Sequence, residues 1–332
     1  MKIAFSDNYI GRRGTATSLY DYAHYNETIL GNKSIILIPR EHPENDPGAI
    51  KKFQDRFECF EHDWGNVDQA DTIIQTEGAD ALYQARGGKG DFVSGIVPNL
   101  IHNVFLCDPN HYYGDRFAFI SDYLSRLCKE RFGLDKASSP WMVNIEQHDG
   151  DLRDELDIPK DAFVYGYYGG RDCFGVPYVG EPIRQALQNR PDLYILLMNI
   201  DPAQTHINFT HDRLRFLPGT VEMKYKTLFI NTCDAMLHAR HHGETFGLAC
   251  GEFNRHNKPI VGCSTVGDRC HIEILGDSFI GYSNPQELFN ILMGLDHAFV
   301  SSKTWDKYSE HHSPEAAMKK FEEVFLNFQG HR

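Results

Sequence analysis

Short runs rich in β-forming residues alternate with amphipathic helical stretches along the whole chain, and the alternation stops once and starts again. That rhythm belongs to a parallel sheet covered by helices on both faces, because parallel neighbours need a helical crossover. In the first half, strands are expected at Lys2–Ser6, Ser34–Ile38, Ala81–Gln84, Asn103–Cys107 and Phe117–Ile120, with helices near Thr15–Tyr25, Ala49–Phe57 and Ser121–Arg131. Around 'KASSPWMVNIEQHDGDLRDELDIPKD' the pattern loosens into a charged, proline-containing stretch, which reads as a linker. A new apolar run opens at Ala162, and the alternation resumes through strands at Phe163–Tyr168, Leu193–Met198, Leu214–Phe216, Ala235–Leu237, Pro259–Gly262 and Ser278–Tyr282. Helices are expected between them at Glu181–Asn189, Val221–Asn231 and Phe246–His256, with another at Pro285–Gly294.

A chain of 332 residues is long enough for two cores. The expected class is therefore α/β, with two Rossmann-like doubly wound domains, residues 1–148 and 149–305. The remainder, 306–332, contains an amphipathic segment at Glu315–Phe328 that sets Ala316, Ala317, Phe321, Val324, Phe325 and Phe328 on one side, as expected of a helix packing back across the domains.

Charge removes several function classes. The net charge is −13 and both halves are acidic, so neither is a basic body of the kind that neutralises nucleic-acid phosphates or anionic lipid. No apolar run approaches a membrane span, and the few apolar residues before Ser6 and Asp7 are too few for a signal-peptide core. A cytoplasmic location is expected, with the eight scattered cysteines reduced.

In doubly wound sheets, ligands bind beyond the carboxyl ends of the strands. The loop that stands out there is 'GETFGLACGEF', Gly243 to Phe253. Gly247 lets the backbone approach a ligand, and the amides of Thr245, Phe246, Gly247 and Leu248 open a helix suited to a diphosphate. Glu244 and Glu252 flank that start and can accept hydrogen bonds from sugar or ribose hydroxyls. By spacing alone, a helix with an exposed Glu252 and a dipole-favoured Glu244 is the better reading. The neighbouring 'HARHHGE' suggests loop polarity and core histidine; no metal site is expected there. A dinucleotide oxidoreductase is disfavoured, since 'GRRGTA' is not G-x-G-x-x-G and no acidic residue is suitably placed after the second strand.

The surroundings of that loop resemble the retaining glycosyltransferases of family 4, which have the GT-B fold of two Rossmann-like domains facing a central cleft. The likeness runs from Asp157 to Gly294: 'VYGYYGGR' matches the first strand and 'GR' loop, 'RLRFLPGTV' the base-contacting loop, and 'CDAMLHARHHGETFGLACGEF…NKPIV' the last strand, glutamate loop and helix. The first half is similar more loosely, through 'NYIGRRGTATSLYDYA' and 'FAFISDYLSRLCKERFG'.

The resemblance implies a nucleotide-diphosphate sugar as donor substrate, a glycan or other hydroxyl acceptor, and retention of anomeric configuration without a metal or other cofactor. It implies that Glu244 holds the donor sugar, Glu252 the ribose, and Phe246 to Leu248 the sugar and phosphates. Phe216 and Leu217 would lie at the base, and Arg171 would neutralise the departing diphosphate. Where the family has a further lysine, this chain has Pro177, and Arg240 is the nearest replacement, with Lys224 and Lys226 behind it; a structural ion pair is the other reading of Arg240. In the first domain, Gly11 and Gly14 would turn a loop over the donor phosphates or the acceptor. Asp108 or His111 would stand for the family's donor-contacting histidine. An epimerase on the same architecture and a catalytically silent sugar-nucleotide or glycan binder are the alternatives.

Overall fold

A computed structural model of the chain describes residues 1–87 and 92–327. Two compact units divide at Met142 and Val143, six residues before the expected 148/149 division: one takes in Met1–Met142 and the tail from His311, the other Val143–Glu310.

In the first unit, strands β1 (Lys2–Ser6), β2 (Lys33–Arg40), β3 (Glu58–Asp63), β4 (Ala81–Arg86), β5 (Asn99–Asn103), β6 (Arg116–Phe119) and β7 (Ala137–Ser138) form one parallel sheet in the order β3-β2-β1-β4-β5-β6-β7. The crossovers carry helices α1 (Gly14–Thr28), α2 (Pro47–Gln54), α3 (Val67–Glu77) and α4 (Asp122–Phe132). Three of these helices begin at a side-chain cap: Asp46 accepts from the Ala49 amide, Asn66 from Gln69 and Ser121 from Leu124. Each cap satisfies an amide that has no intrahelical partner. Alternation along buried β1 sends Ala4 to one face, with Ile35, Leu37, Leu82 and the α3 residues Ala70 and Ile74. Phe5 goes to the other face, against Tyr83.

Two expectations shift here. The strand placed at Asn103–Cys107 is Asn99–Asn103. Its buried polar residues hide it in the sequence, and each finds a partner: Asn99 donates to Ser94 O at 2.9 Å, while His102 lies between Tyr83 OH at 2.7 Å and Ser139 O at 2.6 Å. Strand β3 and helix α3 were not expected at all; β3, 'ECFEHD', is a charged edge strand, a composition that protects an edge from pairing with other chains.

The second unit repeats the plan with β8 (Phe163–Tyr168), β9 (Leu193–Met198), β10 (Leu214–Leu217), β11 (Ala235–His238), β13 (Ile260–Cys263) and β15 (Phe279–Tyr282), parallel and in the order β10-β9-β8-β11-β13-β15. A small second ladder pairs β12 (Gly243–Glu244) with β14 (Asp268–Arg269). Helices α5 (Gly180–Asn189), α6 (Met223–Thr232), α7 (Leu248–Arg255), α8 (Cys270–Leu275), α9 (Pro285–Gly294) and α10 (His297–Val300) complete it.

The tail forms α11 (Pro314–Phe321) and a π-helical turn at Glu322–Leu326, and it belongs to the first unit. Phe321 packs on Tyr22 and Tyr83, and Phe325 on Tyr83 and His102, closing the sheet face that Phe5 opens. Phe328, expected on the same side, lies outside the described residues, as do 329–332.

In both sheets the strand order reverses once, between β1 and β4 and between β8 and β11. Crevices beyond the carboxyl ends of strands at such points are where doubly wound sheets bind ligands.

Candidate functional site

In the second unit, the loops leaving β8 and β11 flank the reversal and are bound to each other. The amides of Gly175 and Val176, in the loop after β8, both donate to Ala239 O at 2.9 Å. Phe174 and Val176 are buried there. The segment around Pro177, the position at which the resembling family carries a lysine, thus fixes the loop after β11.

That loop delivers Glu244. Gly243 (φ +72°) brings the backbone so close to its neighbour that a Cβ would lie 1.9 Å from Asp268 O, a separation only glycine tolerates. The β12–β14 ladder then holds Glu244 opposite Arg269. Its carboxylate takes Arg240 Nη1 on Oε2 at 2.5 Å and His238 Nε2 near Oε1 at 3.1 Å. Burial pushes this carboxyl upward, but the charge of Arg240 and then the His238 hydrogen bond and charge more than offset it, and the pKa falls to about 2. Glu244 is an anion at every ordinary pH. Two of about four acceptor positions on its oxygens are occupied, which leaves room for hydroxyl donors.

Behind it lies a second imidazole. His271, at the start of α8, packs tilted against His238 with ring centroids 4.7 Å apart. Burial, and next the charge of His238, lower its pKa to about 3. Among the described residues, neither ring nitrogen of His271 has a hydrogen-bond partner, nor has Nδ1 of His238.

Three residues past Glu244, Gly247 (φ +89°) turns the chain into α7, and no side chain caps that helix. The free amides of its first turn form an anion-binding helix start, with the partial positive charge of the helix behind them. Thr245 and Phe246 are buried and Leu248 is half-buried. Phe246 O accepts from Tyr308 OH at 3.3 Å, anchoring the turn from behind.

Glu252 differs from expectation. It is 1% exposed, bonded to Tyr168 OH and, through Oε1, to Lys226 Nζ at 3.2 Å. Residues 250–254 of α7 are all buried, so the second glutamate faces the interior and both its oxygens are engaged. Tyr168 and Lys226 are thus the partners the structure gives the residue expected at ribose hydroxyls. Arg240 likewise pairs with Glu244, the structural alternative to a phosphate clamp. Arg171, 75% exposed on its side chain, donates to Asp201 Oδ2 at 2.8 Å, and the Asp201 amide returns a bond to Arg171 O. Phe216 and Leu217 are half-buried at the end of β10, and Leu217 O receives the Asn199 amide at 3.0 Å.

In the first unit, Gly14 is the first residue of α1, and Gly11 is buried where a Cβ would meet Tyr9 at 2.8 Å; neither is at positive φ. Close packing, more than a turn, explains Gly11. Asp108 and His111 lie exposed in a short 3-10 turn five and eight residues beyond the end of β5, where Asp108 caps the turn by accepting from the Asn110 amide at 2.8 Å. With the strand at Asn99–Asn103 in place of Asn103–Cys107, Asp108 no longer lies at a strand end. The second unit thus gathers Glu244, Arg240, Thr245, Phe246, Gly247 and Leu248 around one helix start. It brings in His238 of 'HARHHGE', Tyr168 of 'VYGYYGGR' and Lys226, which stood behind Arg240 as a clamp cation, and adds His271, which no motif marked.

No protein-family profile matches the sequence, and no curated protein matches it either. Solved structures do. The chain is similar to a glycosyltransferase from Rickettsia africae (TM-score 0.69, 13% identity, 98% of this chain and 99% of that one). It is also similar to HepE from Anabaena in complex with UDP and glucose (TM-score 0.72, 15% identity, 99% and 100%). A third similar structure is the UDP-GlcNAc 2-epimerase from Neisseria meningitidis bound to UDP-GlcNAc (TM-score 0.61, 10% identity, 98% and 100%). At these identities the likeness shows the fold, and the fold is GT-B: two Rossmann-like α/β domains.

Proposed function

We propose that this chain is a nucleotide-sugar-dependent glycosyltransferase that moves a sugar to an acceptor hydroxyl with retention of configuration. The observation that carries the reading is the Glu244 site: a carboxylate fixed as an anion by Arg240 and His238, three residues before an uncapped helix start, at the strand-order reversal of its sheet. A nucleotide sugar needs those two things together, hydroxyl acceptors for the sugar and amides for the diphosphate. The Anabaena structure with UDP and glucose and the Rickettsia glycosyltransferase support it at the level of fold.

In this reading Glu244 binds sugar hydroxyls and transfers no proton, since a carboxyl with a pKa of about 2 is a poor base near neutrality. The amides of α7 take the phosphate next to the sugar. Arg171, exposed at the tip of the loop after β8, supplies the mobile cation for the outer phosphate as charge grows on it. The acceptor oxygen bonds to the anomeric carbon on the face the diphosphate leaves. The carbon–oxygen bond to phosphate breaks with its electron pair going to the phosphate oxygen, and that oxygen takes the acceptor proton. Glu252 acts at a distance, holding Lys226 and Tyr168 in place.

The test is incubation with UDP-glucose, UDP-GlcNAc and their GDP and ADP counterparts, following free nucleoside diphosphate, with sugar alcohols and oligosaccharides as acceptors. Glu244→Ala is expected to lower turnover at least about a hundredfold, as removal of a transition-state contact does. Unchanged turnover in that variant would refute the site. Conversion of UDP-GlcNAc to its 2-epimer without an acceptor would instead assign an epimerase, the activity named for one of the similar structures. Tight nucleotide binding with no product of either kind would assign a silent binder.

A further inference from the structure

At the amino edge of the second unit's sheet, the edge away from the Glu244 loop, lies a groove of about 530 Å³, a size usual for small-molecule sites. It runs between residues 147–151, ahead of β8, and residues 255–258, which lead from α7 into β13. Bonds from side chain to backbone hold both walls. Asn231, near the end of α6, donates from Nδ2 to His148 O at 2.8 Å and to Gly150 O at 2.9 Å, which fixes the first wall. On the second, Arg255 donates to Val143 O, and His256 Nδ1 donates to Glu252 O at 2.9 Å. Asn257, at φ +58°, then ends the helix in a left-handed turn that leads into Lys258.

The two walls carry opposite charge: Asp149 and Asp151 on one, Arg255 and Lys258 on the other. Asp151 uses one oxygen locally, Oδ1 accepting the Arg153 amide at 2.7 Å. Asp149 is exposed, and among the described residues neither its carboxylate nor the Lys258 ammonium has a hydrogen-bond or ion-pair partner. Lys258 is half-buried, and burial lowers its pKa from the ordinary lysine value while the charges of Asp234 and Asp151 reach it without pairing. Asp234 is itself engaged, by Arg153 at 3.0 Å and His297 at 3.3 Å. His148 faces Glu146 at 3.3 Å. Nε2 of His256 is buried without a partner and, having no accessible surface, offers no contact to a ligand. Asp151 and Lys258 thus act on each other across the groove and leave the space between them open.

Opposite charges held apart make a field, and a dipole of the reverse direction placed in it is stabilised at both ends. An anion beside Lys258 would face two aspartates and the carboxyl ends of α6 and α7, whose partial charge is also negative. A polyamine would face Arg255 and Lys258. An apolar molecule would strip four ionic groups of water and return nothing. A neutral polyol would find hydrogen-bond partners but would leave every charge unanswered. We infer that this groove binds a small zwitterion of the amino-acid class, a free amino acid or a short peptide, with its carboxylate on Lys258 and Arg255 and its ammonium on Asp149 and Asp151. The site lies at the opposite edge of the sheet from Glu244 and stands apart from the nucleotide-sugar reading.

Glycine, leucine, glutamate, lysine and triglycine are each titrated into the full chain by saturation-transfer NMR and calorimetry, beside their N-acetylated and amidated forms, inorganic phosphate, spermidine and glycerol. At least one zwitterion is expected to bind, and capping either end should weaken it about tenfold or more, as loss of a charge-assisted hydrogen bond does. Lys258→Met and Asp151→Asn should each weaken it by a similar factor; the asparagine keeps an acceptor for the Arg153 amide, and near-UV circular dichroism like the parent's checks that both variants fold. A tighter complex with triglycine than with glycine assigns the peptide, and the reverse order the free amino acid. No binding by any zwitterion, equal binding of the capped forms, or unchanged binding in either folded variant overturns the inference. So does Lys258-dependent binding of phosphate, Asp151-dependent binding of spermidine, or binding of glycerol, where no zwitterion binds. The result is independent of whether the chain turns over a nucleotide sugar.

Discussion

Glu244 is a carboxylate whose charge is maintained by one cation. Burial works against ionisation, and Arg240 is the largest influence opposing it. Arg240→Met is therefore expected to raise the Glu244 pKa and to destabilise the second unit by about 2 kcal/mol, less than a fully buried unpaired charge because both side chains keep some solvent contact. Nucleotide-sugar affinity, flat from pH 8 to 5 as far as Glu244 is concerned, should acquire an acid limb in this variant. Calorimetric titration of UDP-glucose across that range checks it; a flat profile with parental affinity would mean that Arg240 does not govern the carboxylate. The residue types at this site were legible because phosphate binding and hydroxyl binding each leave a local mark, a glycine before a helix and a nearby acid. Partnerships were not legible. His238 comes from the end of β11, Arg240 from the loop beyond it and His271 from α8, and only the fold brings the three together. The surroundings of Glu252 were not legible either: a glutamate is ordinarily taken to face water or ligand, whereas the middle of α7 is buried, and Tyr168 from β8 and Lys226 from α6 meet this one there.

The elements recovered from sequence are those whose hydrophobic period is strong: the central strands β1, β2, β4, β8 and β9, and the capped helices α2, α4 and α9. Those missed or misplaced depend on tertiary context. Edge strand β3 carries charges that erase its pattern, and β5 buries two asparagines and a histidine whose partners lie elsewhere in the chain. The two-residue ladder β12–β14 has no signal beyond its glycine, yet it sets the height of Glu244. Gly243→Ala tests that role. The added methyl cannot sit 1.9 Å from a carbonyl oxygen, and the positive φ is strained for alanine, so the ladder must open. The expected cost is about 2–4 kcal/mol in urea unfolding, with UDP-glucose affinity falling by more than tenfold. If affinity fell with no change in stability, the glycine would be contacting the ligand directly and the ladder would not be what positions Glu244.

At the scale of the whole molecule, acid stability follows from groups held in the wrong charge state for water. His102 and His271 have pKa values lowered to about 3 and His312 to about 4, burial being the first cause in each case. A histidine whose folded pKa lies below its unfolded value of about 6.5 contributes nothing above that pH; below it the unfolded chain binds the proton, and stability is lost progressively toward the folded pKa. At pH 5.5 the loss is about 1.4 kcal/mol for each of the three, or about 4 kcal/mol together. Asp7 has the opposite sign. Burial raises it to about 6 against the opposing charge of Arg86, so its cost is fully present above pH 6 and is relieved as pH falls from 6 toward 3.8. By pH 5.5 that returns about 1 kcal/mol, leaving a net loss of roughly 3 kcal/mol relative to pH 8. Glu244 is ionised across this range and contributes no slope. Urea unfolding measured from pH 8 to 5.5 should show this decline before ordinary carboxylates titrate. Two variants separate its parts: Asp7→Asn should be more stable than the parent at pH 8, by about 2–3 kcal/mol, and should lose stability more steeply on acidification. His271→Phe, which removes two unpartnered ring nitrogens, should lose it less steeply. Parallel profiles for all three proteins would show that the acid response lies with other groups, and would remove the burial of Asp7 and His271 as its cause.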